Sequence, residues 1–161
     1  MHRTVIANSS IIIAFSIIEK MEILKELYQE IIIAEEVKNE LLKGINKSGA
    51  DFLRYKWIKV KKVKEPKLKE YLSYNLDIGE AETIALAEEL NADLVLLDDY
   101  LGRKFALLRN LKITGTIGIL IKAKQKGLIN QVKPLIDKLI LNNFHIDDEL
   151  YYYSLKIVNE I

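Results

Sequence analysis

Apolar positions along the chain come in two spacings, and the alternation between them predicts the fold. Val5-Ile6-Ala7, Ile31-Ile32-Ile33 and Leu94-Val95-Leu96-Leu97 are unbroken apolar runs, short enough for strands and without a polar face. Between them apolar residues recur at helical intervals. Residues 21–28 put Ile23, Leu24 and Leu27 on one side of a helix, and residues 34–42 form a helix closed by Gly44. Asn8-Ser9-Ser10 is a cap cluster, behind which residues 11–18 continue as a buried helix or turn. Trp57-Ile58-Lys59-Val60 alternates as an edge strand does, its lysines blunting the outer side. Pro66 opens a short polar helix toward Tyr74, and Asp77-Ile78-Gly79 introduces a helix over residues 80–90. Residues 100–108 read as a helix and Leu111-Lys112-Ile113 as a short strand. Further helices fill residues 116–126, 132–142 and 147–160.

Strands apolar on both faces, alternating with helices, predict an α/β fold of three layers, α/β/α, around a central, mainly parallel sheet. The strands at Val5 and Leu94 are expected to be inner neighbours. In such sheets the working site lies beyond the carboxyl ends of the strands. Asn8 ends the first strand and Asp98 ends the one that begins at Leu94.

Composition narrows the chemistry. The chain has 161 residues, which fits one domain over 1–161, and it is 50% hydrophobic and 29% charged, a globular balance. With no cysteine, disulfides and thiolate metal sites are excluded. His2 and His145 are too few for a zinc site unless carboxylates do most of the ligation. Any metal is therefore expected to be a hard ion held by oxygen. No apolar run reaches the roughly 20 residues that cross a membrane, and no signal peptide precedes the first strand. The expectation is a cytoplasmic protein that does not engage membranes.

The net charge of +1 is neutral in its message, but the charge is uneven. Arg54, Lys56, Lys59, Lys61, Lys62, Lys64, Lys67 and Lys69 fall in one stretch, with Glu65 alone against them. Two readings are open. The stretch tracks a phosphate backbone, with Tyr55, Trp57 and Tyr71 for base stacking, or it is a solvated edge protected from aggregation. Tyr151-Tyr152-Tyr153 is too aromatic for a solvated face, so it packs in the core or forms a dimer or partner surface, with at least one ring in the core.

Among the acids, Glu80 stands out by angle. At about 100° per residue, Ala81, Ile84, Ala85, Leu86, Ala87 and Leu90 cover most of the helix, leaving Glu82 and Glu89 on a narrow strip to water. Glu80 lies inside the apolar arc, and an inward carboxylate without Lys or Arg nearby calls for a cation. The alternative is a first-turn glutamate favoured by the helix dipole. Asp98 sits on a strand terminus, where a ligand belongs, while Asp99 reads equally well as the cap of the next helix. By position alone Glu40, near the end of its helix with Glu36 one turn earlier, is a solvated surface residue.

Taken together, Asn8-Ser9-Ser10, Val37-Lys38-Asn39-Glu40-Leu41, Gly79-Glu80-Ala81-Glu82, Leu94 to Asp99 and Thr114-Gly115-Thr116 resemble the PIN-domain superfamily. The likeness is to a compact prokaryotic PIN-like subgroup related to the nuclease toxins of toxin–antitoxin pairs. It extends through Gly127-Leu128-Ile129 and Val132-Lys133-Pro134-Leu135 to Asp148-Glu149-Leu150-Tyr151, essentially the whole chain. The resemblance implies a metal-dependent endoribonuclease with an acidic quartet for Mg²⁺ or Mn²⁺. The quartet falls on Asn8, Glu40, Glu80 and Asp98, with Asp99 and Glu82 as secondary candidates. Asn8 departs from the aspartate usual at that position; it offers a carbonyl oxygen without charge. The implied partners are RNA, an antitoxin protein and a second copy in a homodimer. Ser9, Ser10, Thr114 and Thr116 lie near strand ends, to steady phosphate or simply to cap helices. Arg54, Lys59, Lys61 and Lys62 would hold the strand.

Two competitors remain in view. Asn8 motivates a catalytically weak nucleic-acid-binding module. A flavodoxin-like receiver or nucleotide-binding domain is disfavoured, since no acidic pair stands early in the chain and no glycine-rich loop follows the first strand.

Overall fold

The computed structural model describes residues 3–44, 52 and 54–161; His2 lies outside them. Five strands, β1 (Val5–Ala7), β2 (Ile31–Ala34), β3 (Ile58–Lys61), β4 (Leu94–Leu96) and β5 (Ile113–Thr114), form one sheet in the order β3-β2-β1-β4-β5. Every pairing is parallel, so the predicted α/β/α architecture holds and the sheet is wholly rather than mainly parallel. β1 and β4 are neighbours, with Ala7 opposite Leu96. All of β1, β2 and β4 is buried, which is why these strands carry no polar face. β3 is the edge: Ile58 is buried while Lys59, Val60 and Lys61 are exposed.

Among the described residues helices lie in every connection between strands, as is usual for parallel crossovers. α1 (Ser9–Ile17) and α2 (Met21–Tyr28) join β1 to β2, and α3 (Glu35–Lys43) follows β2. α4 (Pro66–Leu72) and α5 (Ile78–Glu89) carry the chain from β3 back to β4. α6 (Tyr100–Leu108) leads to β5, and α7 (Thr116–Gln125), α8 (Lys133–Leu141) and α9 (Asp148–Ile157) complete the fold. Among the described residues no helix is long and apolar enough to cross a membrane.

α5 is the central helix. It packs on β1, β2 and β4 and also touches α3, α4 and α6, so Gly79 through Ala87 are buried without interruption. α3 contacts both α1 and α5. Phe15, Ile6, Ile11, Leu24, Ile33, Ile84 and Leu96 are among the fully buried side chains of one continuous core. Each contributes about 1.5–3 kcal/mol relative to exposure. The tyrosine run on α9 divides: Tyr151 packs partly on the core and donates to Asp137, while Tyr152 and Tyr153 are exposed.

Candidate metal centre

After β1 the chain moves to β2 and β3 on one side, and β4 and β5 lie on the other. The strand order therefore reverses between β1 and β4, and in open parallel sheets the crevice at that reversal receives ligands. Asn8 opens it. Its backbone N–H extends the ladder to the Leu96 carbonyl at 3.0 Å, and its side chain is buried. Asn8 is the N-cap residue of α1, yet its side chain makes no capping bond. The Asn8 Oδ1 atom is buried without a hydrogen-bond partner, as is the Ser10 hydroxyl beside it. A buried carbonyl oxygen left unpaired costs about 1–3 kcal/mol unless something occupies it.

Ser9 is not a cap either. Its hydroxyl donates to Glu40 Oε2 at 2.8 Å, tying α1 to α3. Glu40 is thus half-buried and anchored rather than solvated as its position on the helix suggests. Gly79, at the start of α5, closes over it, and a side chain there would land on the Glu40 carboxylate. Burial raises the Glu40 pKa; the Ser9 bond lowers it, the charges of Asp77 and Glu36 push it up again, and the Lys43 charge draws it down.

Glu80 is buried one residue on, as the angular argument predicts. Its N–H donates to Asp77 Oδ1 at 2.8 Å, so Asp77 caps α5. Burial pushes the Glu80 carboxyl up to about 7, with the charges of Asp77, Asp99 and Glu40 adding to it. The influences that raise its pKa are desolvation and other carboxylates, and a backbone hydrogen bond from Asp77 lowers it in part. Asp99 caps α6 by accepting from Gly102 N–H at 2.7 Å, as the bland reading of that residue has it, while its charge bears on Glu80.

Asp98 is fixed from the β5 side. Its Oδ1 accepts from Thr116 N–H and its Oδ2 from the Thr116 hydroxyl, both at 2.7 Å. Each oxygen keeps a lone pair, so this clamp orients the carboxylate without exhausting it. Gly115 makes room: a Cβ there would sit 2.7 Å from Asp98 Oδ1 and 2.9 Å from the Arg103 guanidinium. Arg103 donates to the Leu97 carbonyl at 3.2 Å.

Glu82 corrects the sequence argument. It does not point to water but is buried, pairing with Lys69 at 2.7 Å and accepting from Glu36 N–H at 3.1 Å. The strip expected to be open is covered by α4 and α3. Glu89 accepts from the N–H groups of Lys64 and Glu65. Lys69 thus belongs to Glu82, whereas Lys59, Lys61 and Lys62 stay exposed along and after β3. Arg54 donates to the Tyr55 hydroxyl and lies 5.0 Å from its ring centroid. Thr114 is half-buried on β5.

The structure brings Ser9 and Gly79 against Glu40 and sets Glu80 in the field of Asp77, Asp99 and Glu40, while Asn8 and Asp98 follow the ends of the neighbouring strands β1 and β4. Among the described residues no three acidic or histidine side chains converge tightly enough to form a ready-made cage. The donors nevertheless suit a hard cation: all are oxygens, one is an orphaned amide carbonyl, and burial together with neighbouring carboxylates raises the pKa of Glu40 and of Glu80. Sequence reasoning missed Asp77 and Arg103. The Asp77-x-x-Glu80 spacing is a capping-box pattern and was legible as a cap; nothing in the sequence brings Arg103 to the Leu97 carbonyl. A family model described as a PIN domain matches residues 4–160. No curated protein matches the chain.

Proposed function

The chain belongs to the PIN-domain family, a nuclease-type fold that generally works with divalent metal, and on that premise we propose that it is an endoribonuclease hydrolysing RNA phosphodiester bonds with Mg²⁺ or Mn²⁺. The observation that carries this reading is the unpartnered, buried Oδ1 of Asn8 at the strand reversal, at the end of the strand paired with the one that leads into Asp98. Asn8, Glu40, Glu80 and Asp98 are the proposed ligands, with Asp77 and Asp99 supplying field.

Asn8, Glu40, Glu80 and Asp98 would hold a divalent ion, which when bound would supply an acidified water and offset charge developing on the phosphoryl oxygens. The protein's part is to hold its donors in place. Ser9 fixes one Glu40 oxygen, Thr116 fixes both oxygens of Asp98, and the Asp77 cap fixes the first turn that carries Glu80. The raised Glu80 pKa makes a proton the competitor of the metal near neutrality. No histidine is needed as a base in this scheme.

Purified protein incubated with single-stranded RNA and Mn²⁺ is expected to cleave it, and EDTA to stop the cleavage. RNA left intact in both Mg²⁺ and Mn²⁺ would sink the proposal. The second reading, a binding module of weak or no activity, is favoured by one observation, the uncharged Asn8 at the centre of the site. It requires RNA binding in EDTA without cleavage in any divalent ion. A toxin-like role restrained by an antitoxin protein, and a homodimer using the exposed Tyr152 and Tyr153, extend the first reading. Co-purification with the product of a neighbouring gene and sedimentation of the isolated chain test them.

A further inference from the structure

α6 is built inside out. Tyr100, Arg103, Lys104, Leu107 and Leu108 follow the spacing that ordinarily marks a core-facing stripe. Yet the residues it buries are the small ones, Gly102 and Ala106. Tyr100 is 82% exposed, Leu107 59% and Leu108 70%. The stripe lines a shallow groove of about 430 Å³, and among the described residues no acidic side chain contributes to it.

This groove begins at the metal centre. α6 starts directly after Asp98 and Asp99, and Asp99 is its cap. Arg103 belongs to both places: it lines the groove, and its guanidinium reaches the Leu97 carbonyl beside Asp98. A guanidinium has five N–H donors, so that bond leaves others for a phosphate. We propose that the outward stripe of α6 is the track for unpaired nucleotides entering or leaving the site, with a base stacked on Tyr100 and phosphates on Arg103 and Lys104. The proposal rests on the nuclease reading and assigns the strand a path over α6.

Charge complementarity selects this occupant. Two cations and an aromatic ring beside a phosphodiester site match a strand that offers alternating phosphates and bases. A second copy docked symmetrically through the same stripe would set Arg103 and Lys104 against themselves. Duplex is a poorer match, because a stacked base pair keeps its faces from Tyr100. The basic residues along β3 lie at the opposite edge of the sheet, so the two surfaces flank the crevice rather than duplicate each other.

Fluorescence anisotropy of a labelled ten-nucleotide pyrimidine RNA, in EDTA, separates binding from cleavage. Wild type is expected to bind the single strand more tightly than the same sequence as duplex. Tyr100→Ala should weaken single-strand binding about tenfold and Tyr100→Phe should stay within about twofold, as loss of one stacked base implies. Lys104→Glu should weaken it further and lower the slope of binding against salt by about one contact or more. Unchanged Mn²⁺ titrations on each variant show that the fold and metal centre are intact. Single-strand binding that is absent in wild type, equal for duplex, or indifferent to both Tyr100→Ala and Lys104→Glu overturns the track. So does an oligomer that Leu108→Asp dissociates while RNA binding stays unchanged, which makes the stripe a protein interface. Failure of every protein, wild type included, to cleave RNA in Mn²⁺ overturns the nuclease reading instead and leaves the anisotropy result standing.

Discussion

Glu80 and Glu82 stand two residues apart on one helix and are both buried, yet their surroundings are opposite. Glu82 has Lys69 and a backbone N–H; Glu80 has other carboxylates. Neutralising each should therefore separate stability from metal binding. Glu80→Gln is expected to weaken Mn²⁺ binding at least tenfold and to raise the metal-free melting temperature, because a repelled, desolvated charge is removed. Glu82→Gln is expected to leave Mn²⁺ affinity unchanged and to lower stability by about 1 kcal/mol, since its partner Lys69 is partly exposed and the ion pair is screened. Titration calorimetry and thermal melts on the two proteins check both; a larger affinity loss for Glu82→Gln would reverse the assignment. Asn8→Asp places a charge where an uncharged oxygen lies unpartnered. It should tighten Mn²⁺ about tenfold and destabilise the metal-free protein by about 1–3 kcal/mol, the cost of an unpaired buried group. Tighter binding with no loss of metal-free stability would mean that Oδ1 is not in fact enclosed.

At the scale of elements, the site depends on one helix start passing close to another helix. Gly79 admits the Glu40 carboxylate against the first turn of α5. Gly79→Ala is expected to displace the Glu40 side chain, break its bond to Ser9 and weaken Mn²⁺ binding, with little loss of secondary structure because the clash falls on a flexible side chain. Calorimetry beside far-ultraviolet circular dichroism distinguishes this from unfolding. The strands were legible because burial on both faces leaves only apolar residues in β1, β2 and β4. The strand-end positions of Asn8 and Asp98 followed from the same topology. The fate of Glu82 was not legible, since periodicity says which residues share a face of α5 and not that α4 and α3 will cover it. Nor were the clamps: Ser9 reaches Glu40 across 31 positions and Thr116 reaches Asp98 across 18, and no local pattern encodes such pairs.

For the whole molecule, the crowded acids tie folding to pH and to metal together. Glu80 titrates at about 7 when folded against an ordinary value of 4.5, and Glu40 is shifted in the same direction. Between 4.5 and about 7 the folded chain therefore holds more protons at these groups than the unfolded chain does. Stability must then fall as pH rises through that window and level off above it. Glu88, Asp137 and Glu160 are shifted downward, and their contributions are already complete above the ordinary carboxylate range, so they do not mask the trend. Metal-free protein is expected to melt several degrees higher at pH 5 than at pH 8, at about 2–4 °C for each kcal/mol. Mn²⁺ at a hundred times its Kd should add about 2.7 kcal/mol at pH 8 and less at pH 5, where protons hold the ligands. Glu80→Gln should flatten the metal-free profile. Thermal melts over pH 5–8, with and without Mn²⁺, measure both slopes. A metal-free profile that rises with pH, or one that keeps its slope in Glu80→Gln, would show that the strand-end acids do not carry the coupling.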